Sequence, residues 1–485
     1  MNFSLKYISR LVVATAVLFS FAACDDYLDI NESPNAPTGI NDQDLILSDI
    51  TATTAYNLVG GGNFTRYSAQ WIQHIANNAA PPSNDTYRFT TASFNNEWAF
   101  TSYAGVLINC KIVIDEGTPL GNWNHVAIAK IMMAHNYAIL ADFFSDIPFS
   151  QAILRTTNLN PSYDGQEQVF EGVQNLLDDA IVDIDKNSEI AVGSGDFFYG
   201  GDMAQWRKLA YALKARYHLR LTNAPGKTAA GQAQLAKDAL ANAMTGRMDE
   251  AAFDYTGEPG AEAPWQQWIT KFATTIQISN YMVTTLLSSN DPRLSIIADT
   301  TALADTIPNN NYVGHANGTL NTAALANISN IGAFFLDAAA DVPLMTYEEQ
   351  LFIEAEANLW LNDVPAAEMA YEAGVRSHMD RLSGQGELGT IIDRPAQDAY
   401  LLANPMDDQE DIIRQKYIAA FVYGSVEAYN DYRRTGFPSD IQVAQNADFN
   451  QIPTRIPYTD TEINNNSQNV PADVTETSLV WWDPN

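Results

Sequence analysis

The chain has 485 residues, with 58 Asp and Glu against 26 Lys and Arg and a formal net charge of −32. Affinity for nucleic acid comes from Lys and Arg at phosphates, and adhesion to an anionic bilayer needs the same surplus, so this balance excludes both. Apolar residues make up 46% and aromatics 11%, too much for a disordered acidic chain and enough for a large core.

Lys6 and Arg10 precede a short, mostly apolar stretch, residues 11–23, that ends in Ala22-Ala23 before Cys24. It is too short to span a hydrocarbon core of about 30 Å and reads as a secretory leader. The Ala-Ala-Cys ending resembles a bacterial lipobox, with Phe21 where Leu is usual. Cys24 is then the lipidation site, its thiol carrying a diacylglycerol that labelling with palmitate would reveal. Several acyl chains, at about 0.8 kcal/mol per buried CH₂, make such an anchor effectively permanent. The expected division is 1–23 leader, 24–43 lipidated tether and 44–485 ligand-binding domain. Pro34, Pro37 and Gly39 keep the tether irregular. The other cysteine, Cys110, lies in an apolar helical run and reads as a buried small hydrophobe.

Beyond the tether, apolar spacing predicts helices near 44–59, 97–115, 125–144, 166–186, 204–222, 229–245, 346–362, 365–381 and 409–429. Loops rich in Asn, Gly, Pro and Thr separate them, notably 77–96, 186–203, 246–268, 299–345 and 435–485, and loops this long usually carry function. In 204–222, Trp206, Leu209, Ala210, Leu213 and Tyr217 form one apolar stripe, while Arg207, Lys208, Lys214, Arg216 and Arg220 fall elsewhere. Those bases either buttress acidic neighbours or hold an anionic ligand, the first being the expected role. The pair 346–362 and 365–381 is joined by Asn362-Asp363-Val364-Pro365, a helix cap with Pro in the first turn. So short a connection makes the helices antiparallel, as in tetratricopeptide repeats.

No His-Glu-x-x-His, Cys-x-x-Cys or Gly-x-Ser-x-Gly occurs, and the six His have no ligand-type spacing. Nothing calls for a cofactor, and whether a structural Ca²⁺ shapes a loop is left open. With so many acids, paired carboxylates carry no signal for glycoside hydrolysis. Aromatics in long loops remain, and their faces pack on the C–H faces of sugars. Trp71, Tyr87, Phe89 and Trp98 are the first group of candidate ligand-binding residues, and Trp265, Trp268 and Tyr281 the second. For any one of them core filling is the competing role; Trp265-Gln-Gln-Trp268 has the sequence of a displayed pair.

Cys24-Asp-Asp-Tyr-Leu-Asp-Ile-Asn-Glu-Ser-Pro-Asn resembles the mature start of SusD/RagB-type nutrient-binding outer-membrane lipoproteins of Bacteroidetes. Similar matches follow in order: Trp206 to Arg216, Asn290-Asp-Pro-Arg-Leu294, Glu354-Ala-Glu-Ala357, Gln415 to Phe421, Tyr432-Arg-Arg-Thr-Gly-Phe-Pro438, Arg455-Ile-Pro-Tyr458 and Trp481-Trp-Asp483. Ile456 stands where a second Arg often follows Arg455. The resemblance implies a mainly α fold, a single large helical domain with tetratricopeptide-like helix pairs and long irregular loops forming the ligand face. It also implies a lipoprotein on the exterior of the cell outer membrane, lying as a lid on a SusC-like TonB-dependent transporter. Such a protein captures glycans, or in some branches peptides, without cleaving them. Two rival classes are an anchored hydrolase of glycans or peptides and a purely structural repeat scaffold.

Overall fold

The computed structural model describes residues 43–154, 157–272, 275–302, 311–320, 327–386 and 388–483. The leader, Cys24 and all but the last residue of the expected tether lie outside them. From Asp44 onward the chain forms one compact unit. It begins with α1 (Gln43–Thr53), a π-helical turn (Thr54–Gly60), α2 (Asn63–Trp71) and β1 (Ile75–Asn77). A second π-helical segment (Asn96–Leu107) runs into α3 (Ile108–Leu120), followed by α4 (Trp123–Phe144), α5 (Gln166–Ile184), α6 (Met203–Arg220) and α7 (Ala229–Leu240). Next come β2 (Ala251–Phe253), α8 (Pro264–Lys271), β3 (Ile276–Ile278), α9 (Asn280–Ser288), α10 (Leu294–Ile297) and β4 (Val342–Met345). The last part holds α11 (Tyr347–Trp360), α12 (Val364–Leu382), α13 (Arg394–Ala403), α14 (Gln409–Ala419), α15 (Ser425–Thr435) and α16 (Asp460–Asn465).

Helices start where a short polar side chain accepts the first free N–H groups. Asp202 accepts from the N–H of Ala204 (2.9 Å) and Gln205 (3.3 Å), and Asp363 from Ala366 (3.3 Å) with Pro365 in the first turn. Antiparallel pairs α4/α5, α6/α7 and α11/α12 stack, α5 on α6 and α7 on α11, in the expected tetratricopeptide-like manner. Helix α4 lies at the centre. Its apolar content is that of a membrane span, but 94% of its most apolar window is buried within the protein. Cys110 on α3 is also fully buried, and burial pushes its thiol up.

Two findings correct the expectations. The helix expected over 409–429 is two: α14 stops at Ala419, Val422 turns to φ +70°, and α15 begins at Ser425. The buried imidazole of His74 explains the break. Its Nε2 donates to the Tyr417 carbonyl (3.0 Å) and its Nδ1 meets Ser425 Oγ (2.9 Å), taking a carbonyl that a continuous helix would use itself. The expected loops also contain unforeseen order: β1 pairs antiparallel with β3, Ile75 opposite Ile278, and β2 with β4, Ala251 opposite Met345. These strands have at most four residues, too few to show an alternating pattern in sequence.

Candidate ligand-binding site

The β1–β3 ribbon builds the site. After α2 the backbone turns at Gln73 (φ 58°) into β1, while β3 leads into α9, whose first turn is capped by Ser279 Oγ accepting from Met282 N–H (2.9 Å). Gln73 and Tyr281 are thereby brought to one side of the ribbon, and both line a cleft of about 230 Å³. The 311–320 loop forms another wall, held by Asn317 Nδ2 donating to the carbonyls of Ile75 (2.8 Å) and Gln70 (3.2 Å). Residues 442–445 complete it: Gln445 N–H donates to Asn317 O (3.0 Å), and Gln73 Nε2 to the Gln442 carbonyl.

Asp85 lies beneath this wall with one oxygen accepting from Asn77 N–H (2.9 Å) and Gly318 N–H (3.1 Å). Burial raises its carboxyl to about 7, against the pull of those donors. At the rim, Tyr281 is half-buried and donates its hydroxyl to Asp440 Oδ1 (2.5 Å), while Arg414 Nη1 donates to both Tyr281 Oη (3.2 Å) and Asp440 (3.0 Å). Burial and the Asp440 bond push its phenol up. Asn280, Gln442 and Gln445 are exposed around the cleft, and the carboxamides of Asn280 and Gln445 bond to nothing among the described residues. Carboxamides both donate and accept, so the cleft suits a neutral, hydroxyl-rich ligand.

The predicted aromatics divide unequally. Trp71, Tyr87, Trp98 and Trp265 are buried, which removes them from the list of ligand platforms, and Phe89 is buried with them. Their ring faces already have partners: Trp71 against Phe89 and Tyr429 (both 5.3 Å), Trp98 against Phe144 (4.6 Å), and Trp265 against Trp268 (5.0 Å). Tyr87 Oη accepts from Ala444 N–H (3.0 Å), tying the first loop to the cleft wall. Trp268 is half-buried, with the Arg66 guanidinium over its ring at 4.6 Å. Sequence reading missed the three carboxamides, which contacts distant in sequence bring together, and Arg66, which meets Trp268 from far along the chain, so no local spacing marks them.

The bases of α6 buttress acids. Arg207 pairs with Asp185, Lys208 with Asp249 (2.7 Å), Lys214 with Asp178, Arg216 with Glu349 (2.6 Å) and Arg220 with Glu427. Burial alone would raise Glu427, but Arg220 and Arg216 hold it down at about 2. A deeper cavity of about 260 Å³ lies between α4, α11, α12 and the α14–α15 break, walled by Phe334, Phe335 and Phe421. Its cations Arg216, Arg381 and Lys416 are already paired with Glu349, Glu348 and Asp431, so it offers a ligand less than the smaller cleft does. Among the described residues no three His, Cys, Asp or Glu side chains form a group that could hold a metal ion.

This architecture is that of the SusD-like family, and the chain belongs to it: the family model, described as starch-binding and associating with the outer membrane, matches residues 34–459. The protein is thus one of a nutrient-binding, outer-membrane-associated class. Among solved structures, a SusD/RagB family protein from Bacteroides thetaiotaomicron is 27% identical, with TM-score 0.77, over 91% of this chain and 98% of its own. A chitin-binding protein shares the fold at 23% identity and TM-score 0.79, covering 92% and 100% of the two chains. A SusD homologue from Bacteroides uniformis does so at 22% and 0.75, covering 91% and 99%. No curated protein matches the sequence.

Arg293, Arg433 and Arg434, within the stretches that carry the family resemblance, turn into the interior. Arg434 reaches Glu356 through both terminal nitrogens (2.5 and 2.8 Å) and Asp431 (2.9 Å). Arg293 pairs with Asp291 (2.6 Å) and donates to Gln415 Oε1 (2.7 Å) and His378 Nδ1 (3.0 Å). Arg433 donates to the carbonyls of Asp142 (2.7 Å) and Thr454 (2.8 Å). These motifs define the scaffold rather than the ligand.

Proposed function

We propose that this protein captures oligosaccharides without cleaving them, from the exterior face of the cell outer membrane. Cys24 carries its lipid anchor, and the protein passes ligand to a SusC-like TonB-dependent transporter. The supporting observation is the cleft beside Tyr281, where the exposed carboxamides of Asn280, Gln442 and Gln445 surround one aromatic ring. Carboxamides match the paired hydroxyls of sugars, and an aromatic ring covers their C–H faces. Weak binding suits the role, because tethering at the transporter mouth supplies a high effective concentration and the ligand must leave again. Isothermal titration of the purified protein against a glycan panel tests the reading. Binding that weakens about tenfold in Tyr281→Ala, with no new reducing ends released, supports it. Hydrolysis of a panel member, or wild-type affinity in the variant, overturns it.

A further inference from the structure

Arg66 departs from the way this chain uses its bases. The deeply buried cations Arg216, Arg293, Lys416 and Arg434 each lie 2.5–2.8 Å from a carboxylate. Arg433, also buried, donates to the backbone carbonyls of Asp142 and Thr454. Arg66 on α2 does neither: among the described residues no carboxylate approaches within 4.0 Å, and its Nε is shut from solvent without a partner. Its guanidinium lies instead over the Trp268 ring. A guanidinium held over an indole in this way keeps its N–H groups free to donate.

Its charge is offset only at a distance, by the electrostatic pull of Glu97 and Tyr56. Glu97 is the nearby acid, but it is buried and turns Oε1 to the Asn63 N–H (3.3 Å), with Oε2 unpartnered. Tyr56 donates to Gln267 Oε1 (3.1 Å). Lys271, exposed and three residues beyond Trp268 on α8, adds a second positive charge to the same helical face. Two bases and an indole thus stand together on a molecule with 58 acids.

We propose that this pair receives the carboxylate of an acidic sugar, so that the captured glycan carries hexuronic acid units. A carboxylate offers two oxygens in one plane, the geometry that a fixed guanidinium fork engages in bidentate fashion, and the indole beside it accepts the sugar ring. The surplus negative charge of the whole molecule does not forbid this. At physiological salt it is screened beyond about 8 Å, so the contact at Arg66 decides. The inference rests on the glycan-capture reading above and narrows it to one substrate class.

The test titrates the full mature protein with an oligogalacturonate and with its fully methyl-esterified, uncharged counterpart. The acid should bind about 10- to 100-fold tighter than the ester. That gap should close in Arg66→Gln, survive in part in Arg66→Lys, and shrink as salt rises. Equal or tighter binding of the ester by the wild type overturns the acid preference while leaving glycan capture standing, and this readout needs no variant to fold. Binding of neither, together with failure on a panel of neutral glycans, overturns both.

Discussion

Trp265 and Trp268 stand three positions apart on one short helix, yet the fold gives them opposite duties. Trp265 is fully buried against its neighbour, whereas Trp268 keeps part of its surface and holds Arg66. Trp265→Ala should therefore cost about 3–5 kcal/mol in a urea melt, the usual range for a large aromatic removed from a core. Trp268→Ala should cost less, at most about half as much, and act mainly on ligand affinity. Nothing local in Trp265-Gln-Gln-Trp268 separates the two, because burial is decided by segments far along the chain. Asp85 allows a prediction of a different kind. Its carboxyl is raised to about 7 in the folded protein, while in the unfolded chain it ionises near the ordinary value of 3.8. The folded state therefore holds the proton over a range where the unfolded state has lost it. The resulting stability is complete below about pH 4 and disappears as pH rises through about 7. Asp85→Asn retains one oxygen for the N–H groups of Asn77 and Gly318 but cannot titrate. Thermal melts from pH 5 to 8.5 should show the wild type losing stability relative to this variant, by on the order of 1–3 kcal/mol, and parallel curves would refute the assignment.

Among the elements, long amphipathic helices were legible and short ordered pieces were not. The pairs 346–362 and 365–381 appear as α11 and α12 with the expected Asp363 cap, since apolar spacing, cap and Pro all act within a few residues. The interruption between α14 and α15 was hidden because its cause, His74, lies more than 340 residues earlier. The cleft was hidden for the same reason: its walls come from 73, 280–284, 316–317 and 442–445. Where distant elements meet, buried ion pairs fix them. Arg434 joins α15 to Glu356 on α11, and both side chains are fully enclosed. Arg434→Met should destabilise by about 3–5 kcal/mol, because Glu356 is left charged in the interior without its partner. Adding Glu356→Gln should recover part of that loss. A single variant as stable as the wild type in denaturant titration would show that the pair contributes little.

At the scale of the whole molecule, helical periodicity gave the stacked pairs and motif order gave the family. The ligand face stayed out of reach because family motifs such as Tyr432 to Pro438 serve the interior. The anchoring proposal is tested on whole cells: Cys24→Ala should abolish palmitate labelling and shift the protein from the membrane to the soluble fraction, whereas undiminished label would disprove it. The internal pairing of bases has a further consequence. Because Arg216, Arg220, Arg293, Lys416 and Arg434 are each matched by a carboxylate, these pairs cancel and the surplus of 58 acids over 26 bases falls on the rest of the molecule. On the proposed lipid anchor, copies crowded together on one surface would push each other apart, which would keep every cleft uncovered without any steric spacer. Divalent ions weaken that repulsion, so clustering of the copies should rise with magnesium far more steeply than with sodium.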